Sequence, residues 1–351
     1  MKKRLLTLIS CAILSLGILS GCSSADINTS AGETKTWRIG HEEVAGGVQD
    51  QYAMEFKRLV EERSNGKIEV EVYRANEIGS ATDYLEFVQG GLLNFALVNP
   101  GSSGTTVPEN NIFYNHFLLP EDDRDVQEFL KTSESIKLLN EINEENEMKV
   151  LDWFYQGYNA WTANNEIRKP ADFKGVSIRT MQSPLIVASY SAYGANPTPM
   201  PYMEVYSGLQ LKQIDAQVNP IFAIQEMGFY EVQKYLIQAK QDGFISGMIA
   251  NKDYYDKLSS QEKEMLKQII EELNKFIYDV EIELNEKRLE LIRENSDIKI
   301  IELTSEEREE FKNASAAARE VYRKSVGDRG NKILDGFEAE IAVLESKKKN
   351  K

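Results

Sequence analysis

The chain has 351 residues, which is enough for two domains with substantial cores. Hydrophobic residues make up 42% of the chain, charged residues 28%, and the net charge is −15. Such a negative chain is repelled by nucleic acid and by anionic lipid, so we expect neither as a partner. A local cation in a cleft can still bind a small anion, because charges are screened over about 10 Å.

The first residues have the pattern of an export signal. A positively charged start is followed by the apolar run Leu5–Leu19 and by a Leu-Ser-Gly-Cys sequence ending at Cys22. This ending resembles the bacterial lipobox, which predicts a signal peptide over 1–21, lipidation of Cys22 and attachment to the outer face of the membrane. A plain signal peptide is the alternative, whereas a membrane helix is disfavoured because the run is short. Residues 22–36 are rich in small polar residues and read as a linker.

An alternation of strands and helices follows the linker. Apolar patterning predicts strands at Trp37–Gly40, Lys67–Tyr73 and Leu92–Val98, and helices at Val48–Glu62 and Thr82–Gln89. This order is typical of an open α/β sheet, in which ligands lie beyond the carboxyl ends of the strands. Glu42 and Asn99 occupy two of those ends, so both are candidate ligand-lining residues.

A second α/β unit begins near residue 157, after a helical stretch from 125 to 147 and a strand from 149 to 154. The apolar strand Gly243–Ala250 is assigned back to the first unit. The predicted limits are 37–156 plus 243–275 for domain I, 157–242 plus 276–345 for domain II, and 346–351 for a tail.

The stretch from Arg179 to Asn219 is the best candidate for a binding site. Arg179 follows an apolar strand, three prolines lie between residues 197 and 201, and Asn219 precedes another proline. An arginine can form two parallel hydrogen bonds with a carboxylate, and prolines fix the backbone of the loops around it. For one arginine alone, an ordinary surface position is the more frequent explanation.

A long helix is predicted near the end of the chain. Ser259-Ser-Gln-Glu262 matches a capping box, and neither proline nor glycine occurs up to about Glu294. About 35 helical residues extend about 50 Å, which exceeds one domain, so we expect the helix to lie across both. A coiled coil fits less well, because the apolar pattern fades after Val280. Thr304-Ser-Glu-Glu307 caps a final pair of helices.

Catalytic signatures are absent from the sequence. There is no zincin motif at His41, no nucleophile elbow and no phosphate-binding glycine motif. We therefore expect a protein that is not an enzyme, with no cofactor and no metal site.

Four segments resemble one family, the DctP-like solute-binding proteins of tripartite ATP-independent periplasmic (TRAP) transporters. They are Lys67–Tyr73 with Ile78-Gly-Ser80, Asp172–Arg179, Gly194–Pro201 with Glu204–Tyr206 and Leu209-Gln210, and Asp215–Pro220 with Tyr230–Leu236. The resemblance extends over about residues 36–345. It implies a two-domain α/β periplasmic-binding-protein (Venus-flytrap) fold with hinge strands and a long domain-spanning helix.

The resemblance also implies a function. Such a protein carries a small organic acid to a sodium-driven permease with one small and one large membrane subunit, and we expect it to be a monomer. Arg179 matches the arginine that pairs with the ligand carboxylate. The other positions that match ligand-lining residues of the family are Asn219, Tyr202, Gln182, Glu42 and Asn99.

One departure from the family narrows the expected ligand. Many members carry a second arginine where this chain has Asn159, in the sequence Gly157-Tyr158-Asn159. Because one charge-assisted partner is lost, we expect a monocarboxylate or a sugar acid rather than a dicarboxylate. The alternatives are a binding lipoprotein of an ATP-driven (ABC) transporter and a ligand sensor that docks on a membrane kinase.

Overall fold

The computed structural model describes residues 34–349. The predicted signal peptide, most of the linker, Cys22 and the end of the tail lie outside this range. Within it the strands are β1 (Lys35–His41), β2 (Ile68–Tyr73), β3 (Phe95–Val98), β4 (Met148–Ala163), β5 (Ser177–Thr180), β6 (Asn196–Pro199), β7 (Ala216–Pro220), β8 (Tyr235–Gln238), β9 (Gly243–Asn251) and β10 (Lys299–Glu302).

Helices connect these strands and cover them. They are α1 (Val48–Arg63), α2 (Ala81–Gln89), α3 (Pro100–Ser103), α4 (Asp123–Thr132), α5 (Glu134–Glu145), α6 (Pro184–Ala192), α7 (Val205–Gln210), α8 (Ile221–Glu226), α9 (Lys252–Lys257), α10 (Ser260–Asn295), α11 (Ser305–Ser325) and α12 (Asp328–Lys349). None of the helices in the described part of the chain is both long and apolar enough to span a membrane.

The strands form two groups that share β4. In the first lobe the order is β2-β1-β3-β9-β4, with β1, β2 and β3 parallel and β9 antiparallel to both β3 and β4. In the second lobe the far half of β4 pairs with β7 and β8, β7 continues to β5 and β6, and β10 pairs with β8. A single strand therefore runs through both lobes, and the α/β class expected from the sequence is present.

Strand β4 is irregular at the point where it passes between the lobes. Its register with β9 shifts between Tyr155 and Tyr158. Gly157 lies in this bulge with φ +102°, a value that L side chains rarely adopt. The sequence predicted a strand over 149–154 only, whereas the structure shows one strand that continues through a local bulge to Ala163; we refer to this bulge between the lobes as the hinge.

Helix α10 contacts both lobes, as its predicted length required. It begins at the predicted capping box, where the Ser259 side chain accepts from the Glu262 N–H and the Glu262 carboxylate accepts from the Ser259 N–H. Leu266 and Leu273 pack in a cluster with first-lobe residues, whereas Ile292 packs in a cluster with residues of the second lobe. The helix therefore joins the two lobes along one edge.

The local predictions differ from the structure at several helices. The predicted 125–147 helix is two helices separated at Ser133, whose side chain caps the second of them. The predicted loop after Asn99 contains the short helix α3. Helix α12 packs against first-lobe residues, since Phe337 contacts Phe113 and Phe129. The domain limits given above stay a prediction.

We expect Gly157→Ala to destabilise the protein more than Gly175→Ala does. Both glycines have positive φ, so each substitution has a cost of about 1–2 kcal/mol in backbone strain. At Gly157 an added Cβ would also lie 2.7 Å from Asn285 Nδ2, whereas at Gly175 nothing lies within 4 Å. Since the Asn285 amide is held by hydrogen bonds to Gln156 and Phe222, its displacement adds about 1 kcal/mol or more. Urea unfolding measures both variants, and equal losses of unfolding free energy would contradict this explanation.

Candidate ligand-binding site

A cavity with a volume of about 190 Å³ lies between the two lobes. Its first-lobe lining is formed by Glu42, Glu43, Gln49, Ala75, Asn76, Ser80, Ala81, Thr82, Gly101, Ser102 and Phe244. Its second-lobe lining is formed by Arg179, Met181, Gln182, Met200, Pro201, Tyr202, Met203, Asn219, Phe222 and Ala223. Residues of both lobes therefore line this cavity.

Arg179 is the cation of this cavity. It lies on β5, between the parallel strands β6 and β7, and only 3% of the residue is exposed. Its Nε donates to the Met200 carbonyl at 3.0 Å, while its Nη1 is buried and has no partner among the described residues. Burial lowers the pKa of Arg179 to about 10, so the guanidinium stays charged at neutral pH. A buried charge with an unused donor makes Arg179 the candidate anchor for an anionic group.

The backbone that holds Arg179 is set by the proline segment. Strand β6, with Pro197 and Pro199, is the last strand in the order of the second lobe. Proline is tolerated at such an edge because it needs no ladder hydrogen bond there. The chain then reaches Met200, whose carbonyl accepts from Arg179, and Tyr202 in the cavity wall.

Two carboxyl groups enter the cavity from the first lobe. Glu42 follows β1, and its Oε2 accepts from the Asn99 N–H at 3.1 Å. Burial raises the pKa of Glu42 to about 8. The Oε2 of Glu43 accepts from the Gln49 N–H at 2.8 Å, while its Oε1 is buried without a partner among the described residues. Burial, reinforced by Glu226, raises the pKa of Glu43 well above its ordinary value. These carboxylates ionise readily only if a cation joins them.

Aromatic and thioether side chains form the remaining walls. The rings of Phe222 and Phe244, one from each lobe, lie 6.4 Å apart at 65°. Tyr202 lines the cavity and donates its hydroxyl to Glu226 at 3.0 Å. Met181 and Met200 fill the space nearby. The cavity therefore combines charged ends with apolar faces that fit a flat or cyclic group.

Five of the seven predicted site residues line this cavity: Arg179, Asn219, Tyr202, Gln182 and Glu42. The Asn219 side chain is buried and its Nδ2 donates to Gln217 Oε1 at 2.6 Å, which fixes its orientation. Gln182 is exposed, as expected of a residue at the rim.

The other two predicted residues, Asn99 and Asn159, do not line the cavity. Asn99 uses its side chain to cap α3, accepting from the Gly101 N–H at 2.8 Å and donating to the Ile245 carbonyl at 3.1 Å. Asn159 donates to Asp242 Oδ2 at 3.0 Å and lines a separate cavity of about 140 Å³ beside the hinge. Because both side chains have internal partners, we propose no ligand contact for either.

Several lining residues were missed by the sequence reasoning. Phe244 belongs to an apolar strand, where nothing in the pattern separates a cavity wall from the core. Glu43 directly follows the flagged Glu42, and Phe222 follows Asn219 by three residues. The signal for Glu43 and Phe222 was their closeness in sequence to the flagged residues, since residues just beyond a strand end lie at the same edge of the sheet.

Comparison with known proteins gives consistent results. The family model for DctP, described as bacterial extracellular solute-binding protein, family 7, matches residues 39–326. The ectoine-binding periplasmic protein TeaA of Halomonas elongata is 35% identical over 98% of both chains. The ectoine/5-hydroxyectoine-binding periplasmic protein UehA of Ruegeria pomeroyi is 31% identical, over 89% of this chain and 92% of that protein.

The fold agrees with a solved structure of the first of these relatives. The structure of the periplasmic ectoine-binding protein from the TeaABC TRAP transporter of Halomonas elongata superposes with a TM-score of 0.85 and 34% identity. The match covers 88% of this chain and 100% of that one. The two-domain α/β solute-binding fold predicted from the sequence is thereby confirmed.

The raised pKa of Glu42 predicts a pH dependence of stability in the ligand-free protein. A glutamate in the unfolded chain has a pKa of about 4.3, whereas the pKa of Glu42 in the folded protein is about 8. Between these values the folded state binds the extra proton, so the contribution of this carboxyl to stability falls as pH rises. We expect Glu42→Gln to gain stability relative to the parent from about pH 5 to about pH 8. Glu42→Asp, which keeps a carboxyl, should show a smaller change. Urea unfolding at each pH tests this, and a constant difference for Glu42→Gln would refute it.

Proposed function

The chain belongs to the DctP family of bacterial extracellular solute-binding proteins, family 7, and from this premise we propose that it binds a compact zwitterion with one carboxylate and one delocalised cation. It is a TRAP-type solute-binding protein rather than an enzyme. The family supplies small solutes to a permease of one small and one large subunit. The ABC-type and sensor alternatives are not favoured.

The charges of the cavity carry this proposal. The second lobe contributes the buried guanidinium of Arg179, and the first lobe contributes the carboxyl groups of the half-buried Glu42 and the buried Glu43. An anionic solute neutralises the arginine but brings no cation to the two carboxyl groups, each of which has one oxygen, Oε1, without a partner among the described residues. A zwitterion places opposite charges at both ends of the cavity and satisfies all three groups.

Ectoine is the compound that best fits these requirements. It is a cyclic zwitterion with a carboxylate and a delocalised ring cation. Two relatives are named for binding it. The ring suits the faces of Phe222 and Tyr202, while Asn219 offers an amide close to the arginine. The expectation of a carboxylate ligand is retained in this proposal. A sugar acid is disfavoured, because it brings no cation to Glu42.

The cellular context of this proposal extends the sequence predictions. We propose that the protein is exported and anchored through lipid on Cys22, so that it samples solute at the outer face of the membrane. We further propose that it acts as a monomer, with domain I and domain II closing on the ligand at the hinge in β4. Closure is favoured to the extent that the solute binds the closed state more tightly than the open one.

Ectoine should stabilise the protein, and glucuronate should do so much less. A ligand that binds only the native state raises the melting temperature, more so as its concentration exceeds the dissociation constant. Thermal unfolding with each compound at equal concentration measures the difference. A larger shift with glucuronate would refute the zwitterion proposal, yet it would leave solute binding intact.

The role of Arg179 is tested by two substitutions. We expect Arg179→Ala to weaken ectoine binding by about 2–5 kcal/mol, because a buried charged hydrogen-bond partner is lost. Arg179→Lys should retain only weak binding, since an ammonium cannot form two parallel hydrogen bonds. Isothermal titration calorimetry provides both values, with the exposed Arg58→Ala as the control. Unchanged affinity in Arg179→Ala would exclude this arginine as the carboxylate anchor.

A further inference from the structure

One buried glutamine is hydrogen-bonded to both glutamates of the first-lobe wall. Gln49, on α1, is fully buried. Its Oε1 accepts from the Glu42 N–H at 2.8 Å, and its own N–H donates to Glu43 Oε2 at 2.8 Å. Gln49 therefore holds the backbone of Glu42 and one carboxylate oxygen of Glu43.

The same glutamine is connected to the hinge. The Nε2 of Gln49 donates to Ser246 Oγ at 2.8 Å, and the Nε2 of Gln156 donates to the same oxygen at 2.6 Å. All three side chains are fully buried. Gln156 directly precedes Gly157, at the bulge of β4. Ser246 thus joins the cavity wall to the hinge through a single shared acceptor.

From the hinge the hydrogen bonds continue to the long helix and to the other lobe. Asn285, on α10, donates through Nδ2 to the Gln156 carbonyl at 3.0 Å. Its Oδ1 accepts from the Phe222 N–H at 3.1 Å. Phe222 lines the cavity from the second lobe. One side chain of α10 therefore holds the hinge and a wall of the cavity together.

We propose that Gln49, Ser246, Gln156 and Asn285 form a positioning chain that couples the two walls of the ligand cavity through the hinge. Of the four, only Gln49 also lines the cavity; Ser246, Gln156 and Asn285 act through Glu42, Glu43 and Phe222. The inference rests on the proposed function only in taking this cavity as the solute site.

The hydrogen bonds of the positioning chain are costly to break because they are buried. A buried amide that loses its partner has a desolvation cost of about 1–3 kcal/mol, so the bonds at Ser246 are not exchanged freely for other arrangements. Gln156 uses its side chain toward the first lobe and its carbonyl toward α10. A change of backbone angle at the hinge must therefore move both connections together. In this way the placement of Glu42 and that of Phe222 become energetically linked.

Amide hydrogen exchange of the ligand-free protein tests the coupling directly. Ser246→Ala removes the shared acceptor in the first lobe, and we expect the Phe222 amide in the second lobe to exchange at least about fivefold faster. Asn285→Asp keeps the acceptor for Phe222 but replaces the donor to Gln156 by an acceptor. We expect the Glu42 amide, at the opposite end, to exchange faster to a similar extent.

A matched control separates coupling from general loosening. Asn274 lies on the same helix and is half-buried like Asn285, but it is away from the hinge and the cavity lining. Asn274→Ala should leave the Phe222 and Glu42 amides unchanged. The proposal is overturned if Ser246→Ala affects only its own neighbours, or if Asn274→Ala accelerates the two distant amides equally. Because Asn285 is half-buried, its variant keeps the test available should Ser246→Ala fail to fold.

Binding supplies a second and independent measurement. With ectoine as the probe, we compare the parent, Ser246→Ala, Asn285→Asp and the double variant. For coupled residues the fold-loss of the double variant departs from the product of the single losses by more than about twofold, whereas independent sites multiply. If the fold-loss of the double variant equals the product of the two single losses, the proposed coupling is overturned. Failure of the parent to bind ectoine contradicts the proposed ligand, and the exchange experiment then decides the coupling alone.

Discussion

The guanidinium of Arg179 is the group on which the rest of the site depends. It is charged, almost fully buried and only partly satisfied by the protein, because one nitrogen binds a carbonyl and another has no partner among the described residues. Removing an ion from water has a cost of several kcal/mol, and the fold must supply it from packing elsewhere. In the function proposed above, that cost is recovered when the carboxylate of the solute pairs with the guanidinium. Under the proposed function, the fold therefore keeps this group in place for an anionic group of the solute, at the expense of stability.

The topology explains how this is achieved without a compact salt bridge. Arg179 stands on β5 in the second lobe, whereas Glu42 and Glu43 follow β1 in the first. The opposite charges are thus placed on different lobes, which β4 and α10 connect. If both were on one lobe, they would pair with each other and leave nothing for a solute. The separation keeps the charges apart, and a ligand with both signs is then the natural bridge between them.

Much of this site was predictable from local sequence, and the reasons for the exceptions are physical. Arg179 and Asn219 lie at strand ends within a proline-rich segment, and both features can be recognised from the sequence alone. Asn99 lies at a strand end as predicted, but the next turn folds into a short helix that uses its side chain as a cap. Asn159 finds a buried partner in Asp242, a residue distant in sequence. Phe244 is an apolar residue in an apolar strand, so the sequence pattern does not distinguish a cavity-lining position from a core position. Contacts between distant segments, rather than local propensity, decide these cases.

The separation of charges also bears on how a solute can drive closure. A ligand shifts an equilibrium between two conformations only by its difference in affinity for them. A solute held by one lobe alone has little such difference, since that lobe is the same in both conformations. A zwitterion that reaches Arg179 with its carboxylate and Glu42 with its cation binds fully only when the lobes are close. The distribution of charges between the lobes therefore does more than select the solute. Under the proposed function it makes closure part of the binding step, which gives a hinge held by buried hydrogen bonds a role beneath such a cavity.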